Sequence, residues 1–201
     1  MNISGLIVGL GNPGREYELT RHNFGFLFAD AVCQAAQDMV GGRCDTLTTG
    51  KKKYELWRCD LIAGQDPWLV AKPLTFMNLS GEAVIAIASY YRIKPSQIVV
   101  VHDELSLPLG RMRFKLGGGN AGHNGLKSIT QCLGTPDFYR LRLGIGRPEH
   151  EGPVTNWVLG RFAASDTKVL ESVLDAGLEG LHTFAKQGLN AATMKINSFK
   201  I

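Results

Sequence analysis

The chain reads as α/β: a single domain whose mixed, mostly parallel central sheet is flanked by helices on both faces. Two observations carry that reading. Short apolar runs of strand length alternate with longer stretches of helical spacing, the pattern of a largely parallel sheet covered on both sides. The chain has 201 residues, 44% of them hydrophobic, with no internal repeat and no low-complexity run. That is enough apolar material for one domain, residues 1–201, around one good-sized core.

The elements follow in order. Residues 3–10 form an apolar run of buried-strand type ending in GLGNPG, and a helix is expected from about residue 22 to 38. Residues 41–53 are polar and read as a loop. Strands are predicted around residues 54–61 and 68–71. Pro73 then breaks the chain before a helix over residues 78–91, where Ala83, Val84, Ile87 and Tyr91 share one face and Asn78 makes a good N-cap. Residues 97–101 are another apolar run, ending in His102-Asp103-Glu104. Two alternating basic strands come next, and Leu170, Val173, Leu174, Leu178, Leu181 and Phe184 keep helical spacing toward the C-terminus. In open α/β sheets ligands gather at the carboxyl ends of strands, where Asn12, Asp103 and the loop around Pro73 are all expected.

The glycine-rich stretch GGGNAGHNG, residues 117–125, needs a use for bare backbone, since so many glycines cost conformational entropy. It opens onto a segment of helical spacing, and free N–H groups at a helix start favour anions. The charge pattern agrees. Net charge is +4, but residues 111–147 alone carry +6: Arg111, Arg113, Lys115, Lys127, Arg140, Arg142 and Arg147 against Asp137. In Arg111-Met112-Arg113-Phe114-Lys115 and Arg140-Leu141-Arg142-Leu143, period-2 spacing puts the cations on one face. Either strand alone would be a solvated outer face. Two of them beside one glycine-rich loop point to a polyanion.

Other classes are set aside. The first residues lack the basic start and long apolar core of a signal peptide, and no apolar run is long enough to span a membrane, so a cytoplasmic protein is expected. Cys33, Cys44, Cys59 and Cys132 are irregularly spaced without a CxxC pair and read as reduced core thiols rather than a zinc site. GLGNPG matches the dinucleotide fingerprint literally. However, Asp30 and Asp38 fall in the expected helix instead of ending a second strand, and Pro13 removes an N–H. GGGNAGHNGLKS departs from a P-loop because Leu126 precedes Lys127-Ser128. There is no GxSxG to make Ser80 a nucleophile and no HExxH for zinc.

What remains is a set of polar residues beside glycine, proline or strand ends: Asn12, His22, Asn78, Asp103, His123 and Asn124. Each alone is an ordinary turn or cap residue. Together they supply a histidine base, a carboxylate to orient it and amides to hold a carbonyl, the parts needed for attack by an activated water.

Four blocks now carry a resemblance: VGLGNPGREYELTRHNFGF (residues 8–26), KPLTFMNLSGEAV (72–84), HDELSLPLGRMRFKLGGGNAGHNGLKSI (102–129) and FYRLRLGIGRP (138–148). In this order they resemble the bacterial-type peptidyl-tRNA hydrolases along nearly the whole chain. The resemblance implies cleavage of the ester between a peptide and the tRNA 3′ end by a single, monomeric α/β domain without cofactor or metal. It implies His22 as catalytic base, Asp103 as the acid that orients it, and Asn12 as the residue that tells a blocked amino group from a free one. Tyr17, Phe76, Asn78, His123 and Asn124 match positions that bind the tRNA end and peptide, with Met77 lining the cleft. Arg113, Lys115 and Arg142 match positions that grip tRNA phosphates. Ser106 stands where an Asp is common, and residues 41–53 match poorly. Two alternatives remain: a tRNA-binding module without catalysis, and a nucleotide-dependent enzyme using GLGNPG.

Overall fold

The computed structural model describes residues 2–47, 53–148 and 152–201. Seven strands form one sheet: β1 (Gly5–Gly9), β2 (Cys44–Thr46), β3 (Tyr54–Cys59), β4 (Trp68–Pro73), β5 (Ile98–Glu104), β6 (Met112–Leu116) and β7 (Tyr139–Gly144). Their order is β2-β3-β4-β1-β5-β7-β6. The four central strands β4, β1, β5 and β7 run parallel, while β2, β3 and β6 add antiparallel edges. The sheet is therefore mixed with a parallel centre.

The helices are α1 (Phe24–Asp38), α2 (Ser80–Tyr91), α3 (Asn124–Leu133), the short α4 (Val154–Val158), α5 (Thr167–Gln187) and α6 (Leu189–Ser198). Central strands covered on both faces must be apolar throughout, and β1 and β5 are buried at every residue. Two cores result. Ile7, Val70, Val99 and Val101 pack under Phe24, Phe28 and Val32 of α1 and Val173 and Leu181 of α5. Leu6, Val8, Leu69 and Val100 pack under Val84 and Ile87 of α2 and Leu126 and Ile129 of α3. Each fully buried phenylalanine of α1 contributes roughly 1.5–3 kcal/mol.

The neighbouring strands β1 and β4 thus send their helices to opposite faces, which opens a crevice at their carboxyl ends. Here GLGNPG has a packing purpose. A Cβ on Gly25 of α1 would strike the backbone of Leu10 and Val101, and one on Gly9 would strike the Gly25 carbonyl. Bare backbone lets α1 start flush against β1, and its Phe26 N–H donates to the Leu10 carbonyl. That close seating removes the basis of the nucleotide reading, because the helix start faces protein.

Four expectations change. The polar stretch 41–53 holds strand β2, although its residues 48–52 lie outside those described. Register sets Cys44 opposite Cys59, and these two sulfurs are bonded, so only Cys33 and Cys132 are free thiols. Asn78 does not cap α2. A 3-10 turn, Met77–Leu79, comes first, and α2 begins at Ser80 with no side-chain cap. Arg140 is no solvated cation: it is buried, donating to the Gly119 and Pro136 carbonyls and stacking on Phe138.

Candidate active site

His22 sits in a 3-10 turn, Arg21–Asn23, that bridges β1 and α1. The turn is clamped from one side. Thr20 bridges Arg161, the Arg21 N–H donates to the Gly160 carbonyl, and the Arg21 guanidinium lies 3.8 Å over the Trp157 ring. From the other side Asn23, buried, accepts from the Asn12 N–H through Oδ1 at 2.8 Å and returns an Nδ2 bond to the Asn12 carbonyl at 2.9 Å. Asn23 is a residue sequence reasoning passed over. Its signal was its place beside His22 in TRHN.

Asp103 lies near the end of β5, with its side chain only 3% exposed. One oxygen, Oδ1, receives both His22 Nδ1 at 2.9 Å and His123 Nε2 at 3.1 Å. Burial alone would raise the Asp103 pKa. The two histidines, by charge and hydrogen bond, overcome it and hold the carboxyl well below the usual carboxylate range. Asp103 is therefore ionised and accepts only, so each imidazole presents an N–H to it.

The two histidines then differ in what is left over. His123 caps α3: its Nδ1 accepts from the Gly125 and Leu126 N–H groups at 3.2 and 3.4 Å. Both of its nitrogens are committed. That cap also takes up helix-start amides on which an anion site was expected. His22 donates from Nδ1, and its Nε2 has no hydrogen-bond partner among the described residues. Of this pair, only His22 has a nitrogen left to take a proton.

Behind them His102 is buried, donating from Nδ1 to the Asp103 carbonyl at 2.7 Å. Burial first, then the adjacent His123, pushes its pKa down to about 3, so it stays neutral. His22, Asp103 and His123 bring three ligand atoms within 4.8 Å of one another, a spacing that could hold a metal ion. In this structure His22 Nδ1 and His123 Nε2 are both hydrogen-bonded to Asp103 Oδ1.

Asn12 is nearly buried, and its Oδ1 accepts from the Met77 N–H at 2.8 Å. This fixes the amide so that Nδ2, a donor, is the end left over. The same bond ties the loop after β1 to the turn after β4. Met77 itself packs into the core against Gly125 and Leu10, and its backbone N–H is the part bonded to Asn12. Phe76 is 58% exposed, and Asn78 and Asn124 are exposed with no side-chain hydrogen bond among the described residues. Tyr17 is half-buried where the loop turns, its N–H donating to Gly14 and its carbonyl accepting from Thr20. Ser80 is fully buried and donates to the Met77 carbonyl, which rules it out as a nucleophile.

The basic residues form a separate group. Register pairs Arg113 with Arg142 and Lys115 with Arg140 across β6 and β7. A cavity of about 320 Å³ is lined by His102, Glu104, Lys115, Gly119, Ala121, Leu126, Arg140 and Arg142. Burial and then the neighbouring arginines lower the Lys115 pKa. Arg142 pairs with Glu104 at 2.9 Å and reaches Ser106 Oγ, while Arg113 donates to the Asn197 carbonyl of α6. Lys115 has no salt bridge among the described residues, which leaves it the freest cation of the group. The glycines serve this wall: Gly118, at φ +108, lies against the Lys115 ammonium.

A family model described as peptidyl-tRNA hydrolase matches residues 6–201. The peptidyl-tRNA hydrolase of Nitratidesulfovibrio vulgaris strain DP4 is 68% identical over 200 residues, covering 100% of both chains. That of Oleidesulfovibrio alaskensis is 58% identical over 98% of both. A crystal structure of peptidyl-tRNA hydrolase from Acinetobacter baumannii superposes with a TM-score of 0.88 at 34% identity, covering 100% of this chain and 98% of that one. A lone-pair histidine held by a buried carboxylate, beside a wall of cations, thus comes with full-length relatives of one activity, and the chain belongs to the peptidyl-tRNA hydrolase family.

Proposed function

We propose that this enzyme hydrolyses the peptidyl-tRNA ester by water attack, with His22 as general base and Asp103 as its orienting partner. The observation that carries this reading is the shared Asp103 Oδ1, which directs the His22 Nδ1–H inward and leaves Nε2 bare. Nε2 takes a proton from water as its oxygen bonds to the ester carbonyl carbon. The resulting imidazolium lies against the Asp103 carboxylate, then returns its proton to the departing ribose oxygen. An alkoxide leaves more readily than an amine, so neither a covalent nucleophile nor a bound metal enters the scheme.

Asn12 Nδ2 is the donor placed to meet a substrate carbonyl, and the free amides of Asn78 and Asn124 hold the peptide and terminal nucleotide with Phe76 and Tyr17. His123 acts through Asp103 and α3 rather than on substrate. Lys115, Arg142 and Arg113 receive tRNA phosphates, a contact that reads backbone rather than base sequence. The protein works as a cytoplasmic monomer in this reading; among the described residues no helix is long and apolar enough to cross a membrane.

The test is release of N-acetyl-amino acid from N-acetyl-aminoacyl-tRNA, without added nucleotide or metal, by wild type and His22→Ala. Cleavage by the first, and tRNA binding without cleavage by the second, supports the proposal. Near-native turnover by His22→Ala overturns it. Binding without turnover by the wild type would leave a tRNA-binding module.

A further inference from the structure

Away from the crevice, three sulfurs meet at the β2–β3 edge. Cys44 and Cys59 face each other across the two strands, and Cys33 of α1 brings its sulfur to 3.8 Å from that of Cys59. All three Sγ atoms lie within 4.8 Å of one another, with Cys59 buried and the other two half-buried. The proposed chemistry uses none of them. We propose that in the reduced protein these three cysteines form a binding site for a thiophilic d10 cation, such as Cu⁺, Zn²⁺ or Cd²⁺.

The donor set selects the ion class. Among the described residues no carboxylate or imidazole belongs to this group, so hard cations such as Mg²⁺ or Ca²⁺ have no ligand here. Thiolates favour soft ions, and three of them leave a fourth position for solvent, which the half-buried Cys33 and Cys44 admit. A thiol–disulfide relay suits the geometry less. Exchange would join only two of the sulfurs at a time, whereas a cation uses the mutual approach of all three, and its charge releases their protons as they bind. The balance is explicit. A dithiol reductant opens the Cys44–Cys59 bond, becoming a disulfide itself and leaving two thiols. The three thiols then lose three protons as three metal–sulfur bonds form. The bound ion would pin α1 to β2 and β3, with Cys33 nine residues along the helix from Phe24, about 14 Å away.

The experiment uses the full chain, reduced with a phosphine, desalted anaerobically and titrated with Cd²⁺ alone, following thiolate-to-metal absorption and Tm. The expected result is about one ion per chain, with absorption that falls by about a third in each of Cys33→Ser, Cys44→Ser and Cys59→Ser and persists in Cys132→Ser. Tm should rise on loading, and unliganded Cys33→Ser should cleave substrate like wild type. Absence of the band, a band unchanged by Cys33→Ser, or sulfurs that stay bonded in the folded protein under excess phosphine would each overturn the proposal.

Discussion

Replacing Asp103 with Asn tests the architecture most sharply, because the shared oxygen predicts how large the loss should be. The carboxamide matches the carboxylate in shape and removes only its charge. In a triad where Asn turns its NH2 toward the histidine, the base is forced into the wrong tautomer and the loss is about 10⁴-fold. Here both imidazoles donate to the same atom, Oδ1, at 2.9 and 3.1 Å. Keeping the amide oxygen there preserves both bonds and the His22 tautomer, while turning it would break both. The remaining penalty is electrostatic: a neutral amide no longer compensates the imidazolium formed at His22.

At an effective dielectric near 20, a unit charge about 4 Å away is worth about 4 kcal/mol. Exchanging a charged for a neutral hydrogen bond costs at least about 1–2 kcal/mol. The loss in kcat should therefore fall at about 2–4 kcal/mol, or roughly 30- to 1000-fold. Single-turnover hydrolysis of N-acetyl-aminoacyl-tRNA measures it directly, with denaturant unfolding to confirm that the variant is folded. His22→Ala, which removes the base itself, should lose more. A loss for Asp103→Asn equal to that of His22→Ala would mean the tautomer had failed. A loss below threefold would mean Asp103 is structural only.

The remaining predictions concern the surroundings. Lys115→Ala should raise KM with little change in kcat and reduce the log–log salt slope of tRNA binding by up to about 0.9, whereas Arg113→Ala, already bonded to Asn197, should reduce it less; equal slopes for both would deny Lys115 its special place. His123→Ala should cost about 1 kcal/mol of stability by uncapping α3, seen as a shift in denaturation midpoint, and lower kcat through a less constrained Asp103. His102 is neutral when folded, with its pKa at about 3, and takes up a proton more readily when unfolded, so stability must fall with falling pH; denaturant titrations should show a loss of about 2 kcal/mol between about pH 7 and about pH 5 that shrinks in His102→Gln. Asn12→Asp should lower kcat/KM on N-acetyl-aminoacyl-tRNA and narrow its lead over the unblocked substrate; an unchanged ratio would place Asn12 outside selection.

What the sequence displays and what it hides follow from the range of the forces involved. The buried strands are legible because burial on both faces demands continuous apolar runs. Asp103 is legible because it ends such a run, whereas His22 is singled out by the TRHN block of the resemblance. Strand β2 is hidden, since three residues of mixed polarity owe their conformation to pairing with β3 rather than to their own propensity. Arg140 misleads for a related reason: period-2 spacing gives its face, while the carbonyls that bury it arrive from the glycine loop and from Pro136. His123 is visible as a histidine, but its work as helix cap and second donor to Asp103 depends on a contact 20 residues away.

In the proposed reading, selectivity follows from one backbone amide. A peptidyl-tRNA ends in an amide whose carbonyl accepts a hydrogen bond, whereas an aminoacyl-tRNA ends in an ammonium that can only donate. An asparagine free to turn could serve either, by presenting its oxygen or its nitrogen. The Met77 N–H prevents this by occupying Oδ1, so Asn12 meets the crevice as a donor. A donor facing an ammonium leaves both groups without a partner in a nearly dry site, a cost of about 1–3 kcal/mol or more for a charged group. The proposed preference for blocked substrate therefore needs no residue that recognises the peptide's identity. It needs the turn after β4 to hold the amide of the loop after β1 in one orientation, which is what the opposite departures of α1 and α2 bring together.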